Sequence, residues 1–309
     1  MVSKLSIVFI VINMVLGILI PIVLLVYFKK KYKASIKSFF VGCGVMLVFA
    51  LILEQIVHSV VLGSSVGVKI QNNIWLYALY GSLMAGLFEE TGRFLAMRFV
   101  LKKESDNAHN ALMYGAGHGG FEMFVILSIG MINNLIYSLM INLGMTNLLL
   151  DPLEETVRGT LQAAFDALIQ TPSWHFVLSP VERLAAITAQ IGLSVIVWFA
   201  ATGKNRKVYL YPVAILLHAV LDAVAVLVAK SGMSLIIVEA LIWLIAIGIV
   251  LIARGIWNKQ KSRRQNQKPG KEVYAFDQMT RGYGNDENRE KRIAEFSQKA
   301  YDIAKNVFC

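Results

Sequence analysis

The chain has 309 residues, of which 56% are hydrophobic and 16% charged, and its mean hydropathy is +0.59. Soluble domains are typically about 45–50% apolar and about 25% charged, so this composition is that of a membrane protein. The net charge of +10 does not indicate a nucleic-acid partner, because Lys and Arg gather at the ends of apolar segments. Cys43 and Cys309 lie in unrelated contexts, which argues against a disulfide framework and a cysteine metal site.

The first apolar segment, residues 5–28, ends in the basic run Lys29-Lys30-Lys31-Tyr32-Lys33. It is too long for the core of a signal peptide and its basic residues follow it, so we predict a membrane anchor. Later segments each have about the ~20 residues that a spanning helix needs. The predicted fold is therefore all-α, a polytopic bundle of about seven transmembrane helices, within a range of six to eight. The later segments are 39–62, 74–97, 111–142, 181–201, 208–229 and 234–253.

The distribution of basic residues predicts the orientation in the membrane. Alternate connections are rich in Lys and Arg, and the connections between them hold little positive charge. Basic loops favour the cytoplasmic side, so we predict an outside N-terminus and a cytoplasmic C-terminus. Residues 111–150 could cross once or twice. One crossing is preferred, because two would move the basic loop 202–207 and the basic tail outside. The basic connections are 29–37, 98–110, 202–207 and the segment after Arg254.

Two segments lie outside the predicted spans. Residues 151–180 are predicted to form a surface helix that starts at Asp151-Pro152, a helix-capping residue followed by a first-turn proline. We assign residues 1–257 to the bundle and 258–309 to a cytoplasmic tail, basic at first and then amphipathic near 287–306. Basic residues just inside a membrane usually set topology and contact lipid headgroups, although a partner site is an alternative.

Three ionisable motifs interrupt the apolar segments, and a charge at the centre of a membrane helix costs about 2.5–3.5 kcal/mol or more. The first is Glu89-Glu90-Thr91-Gly92-Arg93. On a helix Arg93 can reach either carboxylate, and adjacent Glu side chains diverge by about 100°. One Glu can therefore pair with Arg93 while the other faces a cavity, where it could act as a general acid or base. An interfacial ion pair is the simpler alternative, but it leaves the second carboxylate unexplained.

The other two motifs each place a His and a carboxylate one helical turn apart. They are His118-Gly119-Gly120-Phe121-Glu122 and His218-Ala219-Val220-Leu221-Asp222. In such a pair the carboxylate can orient the imidazole, as it does in catalytic and metal-bound histidines. A single pair is more often a hydrogen-bonding device between helices. The predicted depths place all three motifs near one level, which favours a shared functional site.

Other polar residues in the spans carry weaker signals. The Glu54 and His58 pair could join the cluster, and Gln190 could add a hydrogen bond inside the bundle. Glu182 and Arg183 follow Pro180, where capping of a helix start is the usual role. His109 and His175 fall in loops, where we expect solvated side chains. Residues 154–158 repeat the Glu-Glu-Thr-x-Arg pattern outside the spans, and there we interpret it as helix-start chemistry.

The motifs Glu89-Glu90-x-x-Arg93 and His218-x-x-x-Asp222 resemble the superfamily of CAAX proteases and bacteriocin-processing enzymes. Within it the chain is most similar to the YhfC family, described as intramembrane metalloproteases, and next to the PrsW type. The layout matches over roughly residues 40–260. The second motif departs from the pattern: CAAX-type members have Phe-x-x-x-His and PrsW-type members Phe-x-x-x-Glu, whereas this chain has His118 and Glu122.

The resemblance implies peptide-bond hydrolysis in the membrane, with a membrane peptide or protein as substrate. It implies that Glu90, or Glu89, activates water and that His218 assists, oriented by Asp222. His118 and Glu122 would complete the polar cavity. A second mechanism stays open, in which His118, Glu122 and His218 hold a zinc ion. A multi-pass protein of a bacterial cell membrane is expected.

A non-enzymatic role is the main alternative. Proton-coupled transporters also carry Glu, His and Asp inside their helices, so a transporter or a bacteriocin-immunity factor could use the same cluster. The sequence shows no convincing inverted repeat, which counts against a transporter. A receptor role for the basic tail is a third hypothesis. The helical zinc-protease motif, the serine-hydrolase elbow and the P-loop are all absent from the sequence.

Overall fold

The computed structural model describes residues 1–202 and 206–266, and this part of the chain is helical with no strand. The predicted helix near 287–306 lies outside the described residues. We number the helices in chain order: α1 Lys4–Tyr32, α2 Ile36–Leu62, α3 Ser65–Gln71, α4 Ile74–Leu95 with its extension Ala96–Val100, α5 Asn110–Leu143, α6 Asn147–Leu150, α7 Glu155–Gln170, α8 His175–Ala201, α9 Leu210–Lys230 and α10 Leu235–Asn266.

Six of the described helices (α1, α2, α5, α8, α9 and α10) are long and apolar enough to cross a membrane. The helix α4 is also long enough, but Glu89, Glu90 and Arg93 lower its apolar character. The predicted all-α polytopic bundle is confirmed, whereas its sidedness stays a prediction. The last turn of α1 contains Lys29, Lys30 and Lys31. We call the end of the bundle where this turn lies the basic end.

The connection over 111–150 contains a single continuous helix, α5, with wider turns over Phe124–Ile129. The preferred single crossing agrees with this continuity. The predicted start of the surface helix at Asp151-Pro152 is wrong, since α7 begins at Glu155. The predicted start of the fifth span after Pro180 is also wrong, because α8 begins at His175 and includes Pro180.

A contact from α1 explains why α8 continues through its proline. Proline has no backbone N–H, so the carbonyl four residues earlier loses its partner in the helix. That carbonyl belongs to Phe176, and it accepts a hydrogen bond from Asn13 Nδ2 at 2.8 Å. The buried Asn13 side chain therefore replaces the missing donor.

The helix α8 is the centre of the bundle. In its most apolar window 78% of the residues are buried, against 22–33% in the other five spans. A helix that is apolar all round belongs in a core, whereas exposed apolar side chains on the outer helices suit contact with lipid. The helix α8 packs against both α5 and α9.

Glycines allow the helix that carries His118 to approach its neighbours closely. A Cβ at Gly117 would collide with the backbone oxygen of Phe39 on α2, and one at Gly115 would lie 2.6 Å from the Cα of Ile191 on α8. On the α1 side, a Cβ at Gly120 would lie 2.9 Å from a Pro21 carbon. The glycines therefore serve helix packing on three sides, as small residues do in membrane bundles.

Gly117→Ala should destabilise the protein by about 1–3 kcal/mol, because the added methyl overpacks a backbone contact. Gly44→Ala on α2 is the matched control. Its Cβ would have no heavy atom within 4 Å, so the change should stabilise the helix by about 0.5–1 kcal/mol. Thermal unfolding in detergent measures both changes. Equal melting temperatures for the two variants would contradict the packing argument.

Candidate active site

The two adjacent carboxylates on α4 have different partners. Arg93 Nη1 donates to both oxygens of Glu90, at 2.7 and 2.8 Å, and both residues are fully buried. The sequence predicted that one Glu would pair with Arg93 while the other faced a cavity. In the structure Glu90 pairs with Arg93 and Glu89 faces a cavity. Glu90 and Arg93 are thus a buried ion pair between residues one turn apart on α4.

His218 on α9 lies between the two carboxylates. Its Nδ1 donates to Glu90 Oε1 at 2.8 Å, since an ionised carboxylate can only accept. Its Nε2 lies 3.8 Å from Glu89 Oε2 and 3.5 Å from Asp222 Oδ2. His218 thus has carboxylate oxygens near both ring nitrogens.

Glu89 is held from two other helices. His118 Nε2 on α5 donates to Glu89 Oε2 at 2.9 Å, and Gln190 Nε2 on α8 donates to the same oxygen at 3.0 Å. Gln190 Oε1 accepts from Arg93 Nη2. Among the described residues, Glu89 Oε1 takes no side-chain hydrogen bond. The carboxylate is therefore fixed through one oxygen and open through the other.

A cavity of about 100 Å³ lies between α4, α5, α8, α9 and α10 next to Glu89. It is large enough for several water molecules and has the polar groups that bound water needs. Its mouth is more exposed than its floor, since the side chains of Glu182 and Asp222 are 39% and 35% exposed. The polar lining consists of Glu89, Glu122, Glu182, Arg183, Gln190, His218 and Asp222.

The predicted pairing of His118 with Glu122 is wrong. Glu122 Oε1 accepts from Arg183 Nη1 at 2.6 Å, and His118 donates to Glu89 instead. A charged guanidinium forms a strong hydrogen bond to a carboxylate, and here it takes the Glu122 oxygen. With His118 on Glu89 and Glu122 on Arg183, the described residues do not bring the proposed metal set of His118, Glu122 and His218 together.

The remaining polar candidates lie outside the network or at its edge. Glu54 Oε1 accepts from His58 Nε2 at 3.1 Å, and His58 Nδ1 bonds to the Tyr80 hydroxyl at 2.9 Å. Neither Glu54 nor His58 lines the cavity. Glu182 does not cap a helix start, since it pairs with Arg183 inside α8. Arg158 of the repeated pattern donates to loop carbonyls, which agrees with a structural role.

Two polar residues have larger roles than the sequence indicated. Gln190 joins the Arg93 and Glu89 ends of the network, and Arg183 holds Glu122 at the cavity wall. Both interrupt the apolar helix α8, where an Arg or Gln is costly unless it is paired inside the bundle. That cost is the signal that could have identified them.

The comparison with known proteins identifies a family whose model covers this part of the chain. The family model described as "YhfC intramembrane metalloprotease" matches residues 16–243, a range that contains every residue of the network. The chain belongs to the YhfC family. A relative from Bacillus subtilis (strain 168), "Uncharacterized membrane protein YhfC", is 41% identical over 233 residues, which cover 75% of this chain and 88% of the relative. No solved structure matches.

Membership of the YhfC family and the described helices together make this a multi-pass membrane protein. The family is described as intramembrane metalloproteases, a class that accords with a polar cavity inside a helical bundle. The specific chemistry has to be argued from the residues of the cavity.

Proposed function

We propose that this YhfC-family protein is an intramembrane endopeptidase in which Glu89 activates the attacking water. The orientation of the Glu89 carboxylate carries the proposal. Oε2 accepts from His118 and Gln190, while Oε1 is left to the cavity. A fixed carboxylate next to a water-sized space is the arrangement that a general base requires.

In the proposed reaction, Glu89 takes a proton from water as the oxygen attacks the carbonyl carbon of the scissile peptide bond. His218 Nε2 donates a hydrogen bond to the oxygen of the tetrahedral intermediate, while Glu90 accepts from Nδ1 and orients the ring. Glu89 then gives its proton to the leaving nitrogen as the C–N bond breaks. The products are a new carboxylate and a new amine. The substrate is a membrane-embedded or membrane-proximal peptide.

Glu90 has a positioning role in this mechanism, although the sequence favoured it as the base. Its two oxygens are occupied by Arg93 and His218, and it has no exposed surface. The ion pair holds His218 Nδ1, which leaves Nε2 directed to the cavity side. Glu89 is therefore the base and Glu90 fixes the partner imidazole.

The family description implies a metal ion, so we compare the candidate ligands with the requirements of a zinc site. A zinc site needs at least three protein donors about 2.0–2.3 Å from one point. Throughout residues 1–202 and 206–266, no group of three or more His, Cys, Asp or Glu is arranged to hold a metal ion. His118 is engaged by Glu89 and Glu122 by Arg183. This arrangement does not fit the metal set, and the proposed steps use carboxylate, imidazole and water.

The function is tested by incubating the purified protein in detergent with a panel of membrane peptides and identifying the products by mass spectrometry. Wild type should cut at defined bonds. His218→Ala should lose about 10²–10³-fold in kcat, the usual cost of removing an oxyanion donor.

His58→Ala is the matched control, since His58 also lies in a membrane helix one turn from a Glu but outside the cavity. It should cleave at close to the wild-type rate. Equal losses in the two variants would contradict the site. Proton flux in vesicles without peptide cleavage would favour a transporter.

Metal content gives a separate test of the mechanism. We expect the purified protein to hold far less than one zinc per chain by elemental mass spectrometry, and we expect a chelator to leave cleavage unchanged. One tightly bound zinc per chain in wild type, lost on His118→Ala, would overturn the metal-free assignment. The zinc measurement does not depend on finding a substrate.

A further inference from the structure

A second cavity, of about 400 Å³, opens at the basic end of the bundle, away from the active site. Its volume falls within the range of about 300–1,000 Å³ that is common for ligand sites. We call it the basic-end groove. It lies between α1, α5, α8 and α10 and is lined by Tyr32, His109, Leu112, Ile191, Gly192, Val195, Val250, Ala253, Arg254 and Trp257.

The floor of the groove is apolar and runs along α8. On α8 it is lined by Ile191, Gly192 and Val195, and on α10 the lining runs from Val250 to Trp257. The run from Val250 to Trp257 spans about 11 Å of helix. One leaflet of a bilayer whose hydrocarbon core is about 30 Å thick is about 15 Å deep. The groove is therefore long enough for most of one lipid acyl chain.

The mouth of the groove has the chemistry of a headgroup region. His109 stacks on Tyr32 with ring centroids 4.5 Å apart, and Trp257 lies 5.2 Å from His109. Tyr and Trp rings are enriched where membrane meets water. The expected solvated loop position of His109 is thus wrong, since the ring is half-buried in this aromatic group.

The charge at the mouth comes from arginine. Arg254 is exposed and is the one Lys or Arg among the described lining residues. Burial lowers the pKa of His109 below its ordinary value, which favours the neutral imidazole. Among the described residues that line the groove there is no carboxylate to neutralise the guanidinium. An apolar groove with one unneutralised Arg at its wet end complements an amphiphile with an anionic head.

We propose that the basic-end groove binds one anionic phospholipid, with an acyl chain along α8 and its phosphate on Arg254. Arg is suited to this contact because its guanidinium can bind a phosphate through two hydrogen bonds. The phospholipid would join α10 to α5 across the groove. This site is independent of the proposed peptidase activity.

Native mass spectrometry of the full chain in detergent, titrated with phosphatidylglycerol or phosphatidylcholine, tests the proposal. Wild type should retain one phosphatidylglycerol at least tenfold more tightly than phosphatidylcholine. Arg254→Gln should remove that preference, and Arg254→Lys should restore part of it. Val250→Trp, which fills the apolar floor, should lower retention of both lipids.

Arg98→Gln is the control, because Arg98 is a half-buried cation near the basic end that does not line the groove. It should bind phosphatidylglycerol as wild type does. Three results would overturn the proposal: equal affinity for the two lipids, equal losses in Arg98→Gln and Arg254→Gln, or full retention in a folded Val250→Trp variant. The last result would mean that something other than this groove holds the lipid.

Discussion

Glu89→Gln should lower kcat for peptide hydrolysis by about 10³-fold, within the range of 10²–10⁴ expected for loss of a general base. The amide has the shape of the carboxylate and can still accept from His118 and Gln190, so the network around it should persist. The lost property is proton uptake from water. Because substrate contacts are unchanged, KM should stay close to the wild-type value.

Glu54→Gln is the matched control for this experiment. Glu54 is also a buried carboxylate in a membrane helix, but it binds His58 and does not line the cavity. Its variant should cleave within about threefold of wild type, because a group outside the cavity is not part of the general-base step. A fully active Glu89→Gln enzyme would assign the base elsewhere.

Arg93→Met should have the largest effect on stability, a loss of about 3–5 kcal/mol. Both members of the Glu90 and Arg93 pair are fully buried, so removing the guanidinium leaves an uncompensated carboxylate inside the bundle. Gln190 Oε1 also loses its donor. Denaturant or thermal unfolding in detergent measures the loss.

Two comparisons separate loss of the pair from general damage to the helix. Arg98→Met, on the extension of the same helix, should change stability by less than about 0.5 kcal/mol. Glu90→Gln combined with Arg93→Met removes both charges, so it should be more stable than Arg93→Met alone. A double variant with the summed loss of the two single variants would show that the pair is not the source of the effect.

The sequence predicted that the polar residues of the three motifs would lie close together, but it did not predict which of them would pair with each other. The angle between Glu89 and Glu90 on a helix shows that they must face different surroundings. Which of them faces water depends on His218 and Gln190, which come from helices 128 and 101 residues away. No local pattern contains that information.

The His118 and Glu122 pair shows a similar limit. One helical turn of separation allows contact but does not require it, and Arg183 binds Glu122 from another helix. The start of α8 was missed because Pro180 normally marks a helix boundary. The donor that replaces its missing N–H is Asn13, which lies 163 residues before the Phe176 carbonyl that it binds. Segment lengths and apolar character were local properties, and these were predicted well.

The size of the active-site cavity has a consequence for how a substrate enters. A volume of about 100 Å³ admits water but is too small for a stretch of peptide. The glycine contacts of α5 with α1, α2 and α8 leave His118 little freedom to move. For the proposed peptide substrate, entry therefore requires the helices around the cavity to move apart. Helix displacements of this kind take microseconds to milliseconds, so opening of the bundle is a step separate from hydrolysis and can precede each slower chemical step.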